Sequence, residues 1–433
     1  MMLSRFPLLI YAFLLYFFPC TIASAVEVDD FTVSGGLVTG SNIIHVTSLD
    51  DDGPGTLREA LEKDGPKIIV FEESGTILLK SDLIITHDKT TIAGETAPSP
   101  GIIIHNGSLH IRASDIVVSH VAIYPGSSND PQIAENRDGI SIYGSPSKNI
   151  QRNNILLHNV SVGWAVDENI GIQGLTDHIK IVRSLIAQPL VTGGHPKGSH
   201  SMNILLGGTV KRVIIVGSVL AGAEYRSPRL LTGNRVSFIN NVIVGPGLRA
   251  THLDTSQTVL QPGAIDLIGN VYFPTAATKC NSYAIDIDSQ FLKATPATTV
   301  HLDDNAVLES CKTDCLKLTN ATMNLLAEEP VTQFGWKVIS SKNVTEGVYP
   351  YVGSHPAQRN PIDAKVIRSI EDCSISLMQE MRDTGGYSSL KSIPTNDDVP
   401  ISEKLTSPED VDTMKAWLLM LHKRVTHGAD FIY

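Results

Sequence analysis

Three cationic side chains stand close together in the middle of an acidic chain. The loop sequence H-P-K-G-S-H (His195 to His200) carries Lys197, and Y-R-S-P-R (Tyr225 to Arg229), one strand-like run later, carries Arg226 and Arg229. The chain of 433 residues has a formal net charge of −11, so any polyanionic ligand must be held by such a local cluster or through a bridging cation. A guanidinium grips carboxylates as a planar fork, whereas an ammonium acts as a point charge. On residue chemistry alone Arg226 is a carboxylate clamp, because arginine stays protonated in proteins. Arg229 either binds the same ligand or pairs with an acid to fix its loop. Lys197 lies between Gly193-Gly194 and Gly198, a tailored turn that favours function over a solvated lysine. His195 and His200 are read as structural. These two loops are the candidate active site.

Carboxylates precede them. D-G-I-S-I (138–142) opens on Asp138, and V-G-W-A-V-D-E-N (162–169) holds Asp167 and Glu168. On residue chemistry alone Asp138 reads as a turn-closing aspartate before a strand. Trp164 is read as packing rather than as a sugar platform. The chain carries no Walker loop, nucleophile elbow or zinc helix.

Positioning these loops falls to a repeating pattern. Short runs of Val, Ile and Leu, separated by Gly, Asn, Asp and Ser, recur from Ile44 to Phe273 with little helical periodicity. Six eight-residue runs, starting at Ile116, Ile155, Ile179, Val213, Val236 and Ile265, align without gaps at spacings of 39, 24, 34, 23 and 29 residues. That predicts one coil per repeat with loops inserted in some coils. The sixth place of each run reads Val121, Val160, Ser184, Ser218, Asn241 and Asn270, as expected where like side chains stack. The expected fold is all-β, a parallel β-helix. A β-sandwich would show alternating strands and short N-G or D-G hairpins, whereas continuous apolar runs suit strands buried among neighbours. Ahead of the array, Asp52 to Lys63 is expected to form a capping helix, with Thr56 and Glu59 as a capping box. Beyond Pro274 the pattern fades. Residues 276–433 are expected to wrap the stack as part of the same domain and to end in a helix from Pro408 to about Arg424, capped by Ser407. Glu409 and Asp410 suit its positive end and Lys423 and Arg424 its negative end, with Trp417, Leu418, Met420 and Leu421 packing.

Composition places the chain outside the cell. Arg5, the apolar run Phe6 to Phe18 and Ala23-Ser24-Ala25 form a signal-peptide pattern over residues 1–25. Its 13 apolar residues are too few to span a bilayer. Loss of the leader removes Arg5 and takes the charge from −11 to −12, which excludes general nucleic-acid binding. The mature protein is expected to be secreted (periplasmic in a Gram-negative cell), without a membrane anchor and monomeric. Cys280, Cys311, Cys315 and Cys373 then suggest up to two disulfides; C-K-T-D-C lacks the second close pair that a zinc site needs. Asn106, Asn159, Asn320 and Asn343 head glycosylation sequons.

In this order the motifs resemble pectate lyases of polysaccharide lyase family one, secreted right-handed parallel β-helix enzymes. The further landmarks are G-P-G-T-L-R-E-A-L with I-I-V-F-E-E-S-G-T-I, T-I-A-G-E-T-A-P-S-P-G-I (91–102), and V-G-S-H-P-A-Q-R-N-P-I-D-A-K-V-I (352–367), similar to a tail motif of bacterial members. The resemblance implies β-elimination of (1→4)-α-D-galacturonan, with Arg226 as the base at C5, Lys197 on a substrate carboxylate and Arg229 as a second substrate contact. It implies Ca2+ at Asp138 and Asp167, with Asn136 and Glu168 completing the set. Asn136 and Gly171 stand where well-studied members carry acids, which implies weaker calcium binding completed by substrate carboxylates. A base role for Arg226 requires neighbouring cations, such as Lys197 and Arg229, or an alkaline medium. The alternatives are a calcium-independent pectin lyase on methyl-esterified chains, or a non-catalytic β-helix that binds acidic glycans.

Overall fold

The computed structural model describes residues 33–256, 261–312, 314–321, 326–330, 336–384 and 411–428. The leader over 1–25 and the cap residues Ser407, Pro408, Glu409 and Asp410 lie outside these residues. Among the described residues the chain winds into a parallel β-helix of three sheets, with ten, nine and nine strands. Every neighbouring pair in these ladders is parallel and lies one coil apart.

The gapless alignment of the six runs is the actual register: Ile116, Ile155, Ile179, Val213, Val236 and Ile265 are successive partners in the first sheet. Each run is two strands rather than one. Ile116–Ser119 in the first sheet turns into Val121–Tyr124 in the third, and Arg152–His158 turns into Ser161–Gly163. The bend is made by one residue at positive φ, the fifth of each run: His120, Asn159, Arg183, Gly217, Asn240 and Gly269. A single left-handed residue reverses the pleat and re-aims the chain, at small cost for Asn or Gly.

The sixth place follows the bend and stacks as expected. The Val160 amide donates to Ser184 Oγ (3.3 Å), Ser184 N to Ser218 Oγ (3.1 Å), Ser218 N to Asn241 Oδ1 (3.0 Å) and Asn241 N to Asn270 Oδ1 (2.9 Å). Asn305 Oδ1 extends the ladder by accepting from Asn270 N at 3.1 Å. These amides sit at a corner where no neighbouring strand reaches them, so the stacked side chains supply the partner that buried N–H groups require.

Alternate residues of each run face inward. Ile155 and Leu157 join one continuous core through the stack, while Leu156, Val182, Val216, Ile239 and Ile268 face outward and are covered by Val33 and Trp336. Leu57–Glu62 caps the amino-terminal end, with Leu57, Ala60 and Leu61 buried. Thr56 Oγ1 accepts from Glu59 N (3.2 Å), and Glu59 Oε2 accepts from Gly55 N (2.7 Å). This helix is shorter than the expected span from Asp52.

The coils do not stop at residue 275. Ser282–Ile287, Thr298–Asp303, Ala306–Val307 and Leu316–Thr319 continue all three sheets. Cys280 pairs with Cys315 and Cys311 with Cys373, which settles a pairing the sequence left open. The helix Pro361–Glu371 packs outside, where Asp363 accepts from Tyr124 Oη and Ser161 Oγ, both at 2.5 Å. The last helix is Val411–His427, with Leu418 and Leu421 buried; Met420, expected to pack, is 46% exposed. No described helix is long and apolar enough to cross a membrane.

Candidate active site

The site residues fall on successive coils of the second sheet. Asp138 precedes Ile140–Gly144, Glu168 begins Glu168–Gly174, Met202 begins Met202–Gly207, and Arg229 begins Arg229–Leu231. Asp254 ends Thr251–Asp254 on the coil after that. The sixth-place ladder has a counterpart beneath these residues. Asn169 Nδ2 donates to Asn203 Oδ1 (2.9 Å), Asn203 Nδ2 to Ser227 Oγ (3.0 Å), and Thr251 Oγ1 to Ser227 O (3.0 Å), all buried. Arg226 is held in the left-handed region at φ 61°, with its carbonyl accepting Ile204 N at 2.7 Å. The ladder thus fixes the residues beside Glu168 and Arg226 from below.

Arg226 forms an ion pair with Glu168, whose side chain is buried. Burial, then the like charge of Arg229, lowers the Arg226 guanidinium to about 10, against the pull of Asp167, Asp138 and Asp254. Of the two cations expected to depress it, Arg229 does so. Lys197 instead lies exposed on its loop, with Nζ 3.1 Å from Glu135 Oε1. Arg229 both borders the groove and pairs with an acid, its Nε and Nη2 donating to Asp254 Oδ2 at 2.9 and 2.5 Å. Of the two readings of that residue, the pairing with an acid is the one seen. A groove of about 250 Å³ is lined by Met202, Tyr225, Arg226, Arg229, His252 and Asp254 among others.

Asp138, Asp167 and Glu168 each offer an oxygen within 4.8 Å of the others. Burial, then the neighbouring Asp167, pushes the Asp138 carboxyl well above the usual range. Its Oδ1 accepts from Glu168 N at 3.1 Å. A Cβ at Gly171 would lie 2.8 Å from Asp138 Oδ2, so an acid at that position would point into the cluster and glycine leaves it out. Crowded carboxylates, two of the three buried, fit a hard divalent cation, with Asp138, Asp167 and Glu168 as the acids that would hold it. Asn136 is exposed at the end of Pro131–Ala134, and its carbonyl accepts Asp138 N at 3.0 Å.

Two histidines read as structural lie against this cluster. His195 and His200 stack at 3.5 Å between centroids, with Nε2 atoms 4.0 and 3.7 Å from Asp167 Oδ1. Asp254, Glu135 and His252 were missed, because their nearness to the cations follows from coil register and loop path rather than sequence spacing. The alternation in T-H-L-D (251–254) is the one signal that could have placed His252 and Asp254 on a site-facing strand. Trp164 is packing, as expected, buried against Tyr124 and His105.

The parallel β-helix thus sets arginines beside a crowded carboxylate cluster. The chain is similar to curated proteins named probable pectate lyase C. It is 31% identical over 209 residues to that of Emericella nidulans, covering 48% of this chain and 44% of the relative. It is 26% identical over 384 residues to that of Aspergillus flavus, covering 85% and 84%. The more identical stretch thus spans under half of its relative's length. No family model matches the chain. Among solved structures, the major cedar-pollen allergen jun a 1 shares the fold, with TM-score 0.51 and 18% identity, covering 72% of this chain and 88% of that chain.

Proposed function

We propose that the protein is a secreted lyase that cleaves de-esterified pectate by cation-assisted β-elimination. The observation that carries this reading is the placement of Arg226 on the groove wall beside Arg229 and the carboxylate cluster, where burial and Arg229 lower its guanidinium to about 10. The similarity to proteins named pectate lyase supports the same chemistry. Lys197 and Arg229 hold uronate carboxylates. Arg226 takes the proton from C5; the C5–H electrons form the C4–C5 double bond as the C4–O bond breaks. The departing oxygen is protonated by solvent, leaving a 4,5-unsaturated end. A calcium ion bound at Asp138, Asp167 and Glu168, with Asn136 beside them, would supply charge neutralisation that acidifies C5–H. The leader over 1–25 directs export, and the coil stack with its carboxy-terminal wrapping acts as one monomeric domain.

The test is ultraviolet absorbance of unsaturated product from polygalacturonate, with calcium and with a chelator. We expect calcium-dependent product, and a loss of at least about a hundredfold in kcat for Arg226→Lys. No absorbance at any pH would overturn the lyase reading. Activity indifferent to chelation, and higher on methyl-esterified pectin, would favour the calcium-independent pectin lyase.

A further inference from the structure

Far from the groove, three imidazoles from distant parts of the chain converge under the last helix. His120 is a left-handed corner residue, His158 ends the strand Arg152–His158, and His422 lies on Val411–His427. Each offers a nitrogen within 4.8 Å of the others, and all three are buried. His120 Nδ1 lies 2.7 Å from the Ser354 carbonyl oxygen. A carbonyl only accepts, so Nδ1 carries the hydrogen and Nε2 keeps its lone pair. That lone pair faces His422 Nδ1 at 2.9 Å. Anchoring one ring nitrogen on a backbone carbonyl to aim the other is the usual outer support of a metal-binding histidine.

Packing alone does not call for these residues. The fourth place of the coil run, occupied by His158, is Val182, Val216, Ile239 and Ile268 on later coils, where the outer face is covered by apolar neighbours. An imidazole replaces the aliphatic residue where the last helix crosses. His158 and His422 lie 4.6 Å apart between ring centroids, and His120 and His422 5.1 Å.

We propose that His120, His158 and His422 bind a transition-metal ion of the zinc class, which clamps the carboxy-terminal helix to the coil stack. Three neutral nitrogens and no carboxylate select zinc, cobalt, nickel or copper over calcium or magnesium. A tetrahedral ion holds its nitrogens roughly 3.3 Å apart, so the His120–His422 pair must part by about 0.4 Å to admit it. Arg183 adds positive charge beside His158 and His422, which favours an anionic fourth ligand such as hydroxide or chloride.

The test uses the full chain, stripped with chelator, reloaded with Zn2+ or Co2+ and desalted. Elemental analysis should find an ion that His158→Val removes, and the cobalt form should show tetrahedral absorbance that the variant loses. Valine already fills that place on two coils, so the variant should keep its circular dichroism and any lyase activity. Zn2+ should raise the Tm of the wild type and not of the variant. If His158→Val does not fold, His422→Leu provides the same readout from the helix side. Failure of the wild type to retain any ion would overturn the proposal. Equal retention by a folded variant would also do so, by assigning the ion to Asp167, His195 and His200. Neither result depends on pectate cleavage.

Discussion

The base role proposed for Arg226 depends on its surroundings more than on its identity. A free guanidinium is useless as a base near neutrality, but one lowered to about 10 by burial and Arg229 is within reach in alkaline medium. Because the base form gains population as pH rises toward that value, kcat should increase from pH 7 to about pH 10, as read from initial rates in a calcium-containing buffer. Arg229→Gln removes the like charge while keeping a donor for Asp254, so the alkaline limb should move to higher pH. An unmoved profile would detach Arg229 from the base. The cationic trio was legible because type and spacing alone single out Lys197, Arg226 and Arg229 in an acidic chain. Their pairings were not: Glu168, read only as a metal ligand, and Asp254 and Glu135, not singled out, lie 58, 25 and 62 residues from the cations they meet, and only the winding of the chain brings them together.

At the scale of elements, two polar ladders run along the corners of the stack. Asn241 belongs to the ladder away from the groove and Asn203 to the one beneath Arg226. Asn→Leu at either position strands buried partners, at a cost of about 1–3 kcal/mol. Both variants should unfold at lower urea concentration. Asn203→Leu should also lose activity in proportion to its effect on Arg226, whereas folded Asn241→Leu should keep full kcat. Equal activity losses would mean the ladders do not act locally. The coils were readable because like residues stack in register, so Ile116, Ile155, Ile179, Val213, Val236 and Ile265 align in sequence and in space alike. The bend within each run was hidden. Asn159, Gly217, Asn240 and Gly269 are natural left-handed residues, but His120 and Arg183 occupy the same place and blur the signal. The continuation past residue 275 was hidden for another reason: strands such as Leu316–Thr319 are short and partly exposed, so they lack the apolar density that marks the earlier coils.

For the molecule as a whole, the carboxylate cluster links pH, cation and stability. Asp138 titrates higher when folded than when unfolded. Folding therefore favours its protonated form, and stability is lost as pH rises from the unfolded value through the folded one. A divalent cation competes with that proton, so calcium should raise Tm more at pH 8 than at pH 4, measurable by calorimetry. Equal increments would remove Asp138 from the cation site. The proposed export brings a second consequence for the whole molecule, that of glycans. Asn159 Nδ2 is buried and donates to the Tyr351 and Gly353 carbonyls at 2.7 and 3.0 Å, whereas Asn320 and Asn343 are exposed. Glycopeptide mass spectrometry of chain made in a glycosylating host should find sugar at Asn320 or Asn343 and none at Asn159. The coil stack has one further consequence. Neighbouring parallel strands lie about 4.8 Å apart, and Asp138, Glu168, Met202, Arg229 and Asp254 occupy five consecutive coils. The site is therefore graduated, a ruler of about 19 Å by that spacing with one mark per coil. Insertions between coils can reshape its walls without moving the marks, but duplication of a single coil within it would push the carboxylates and the arginines one division apart.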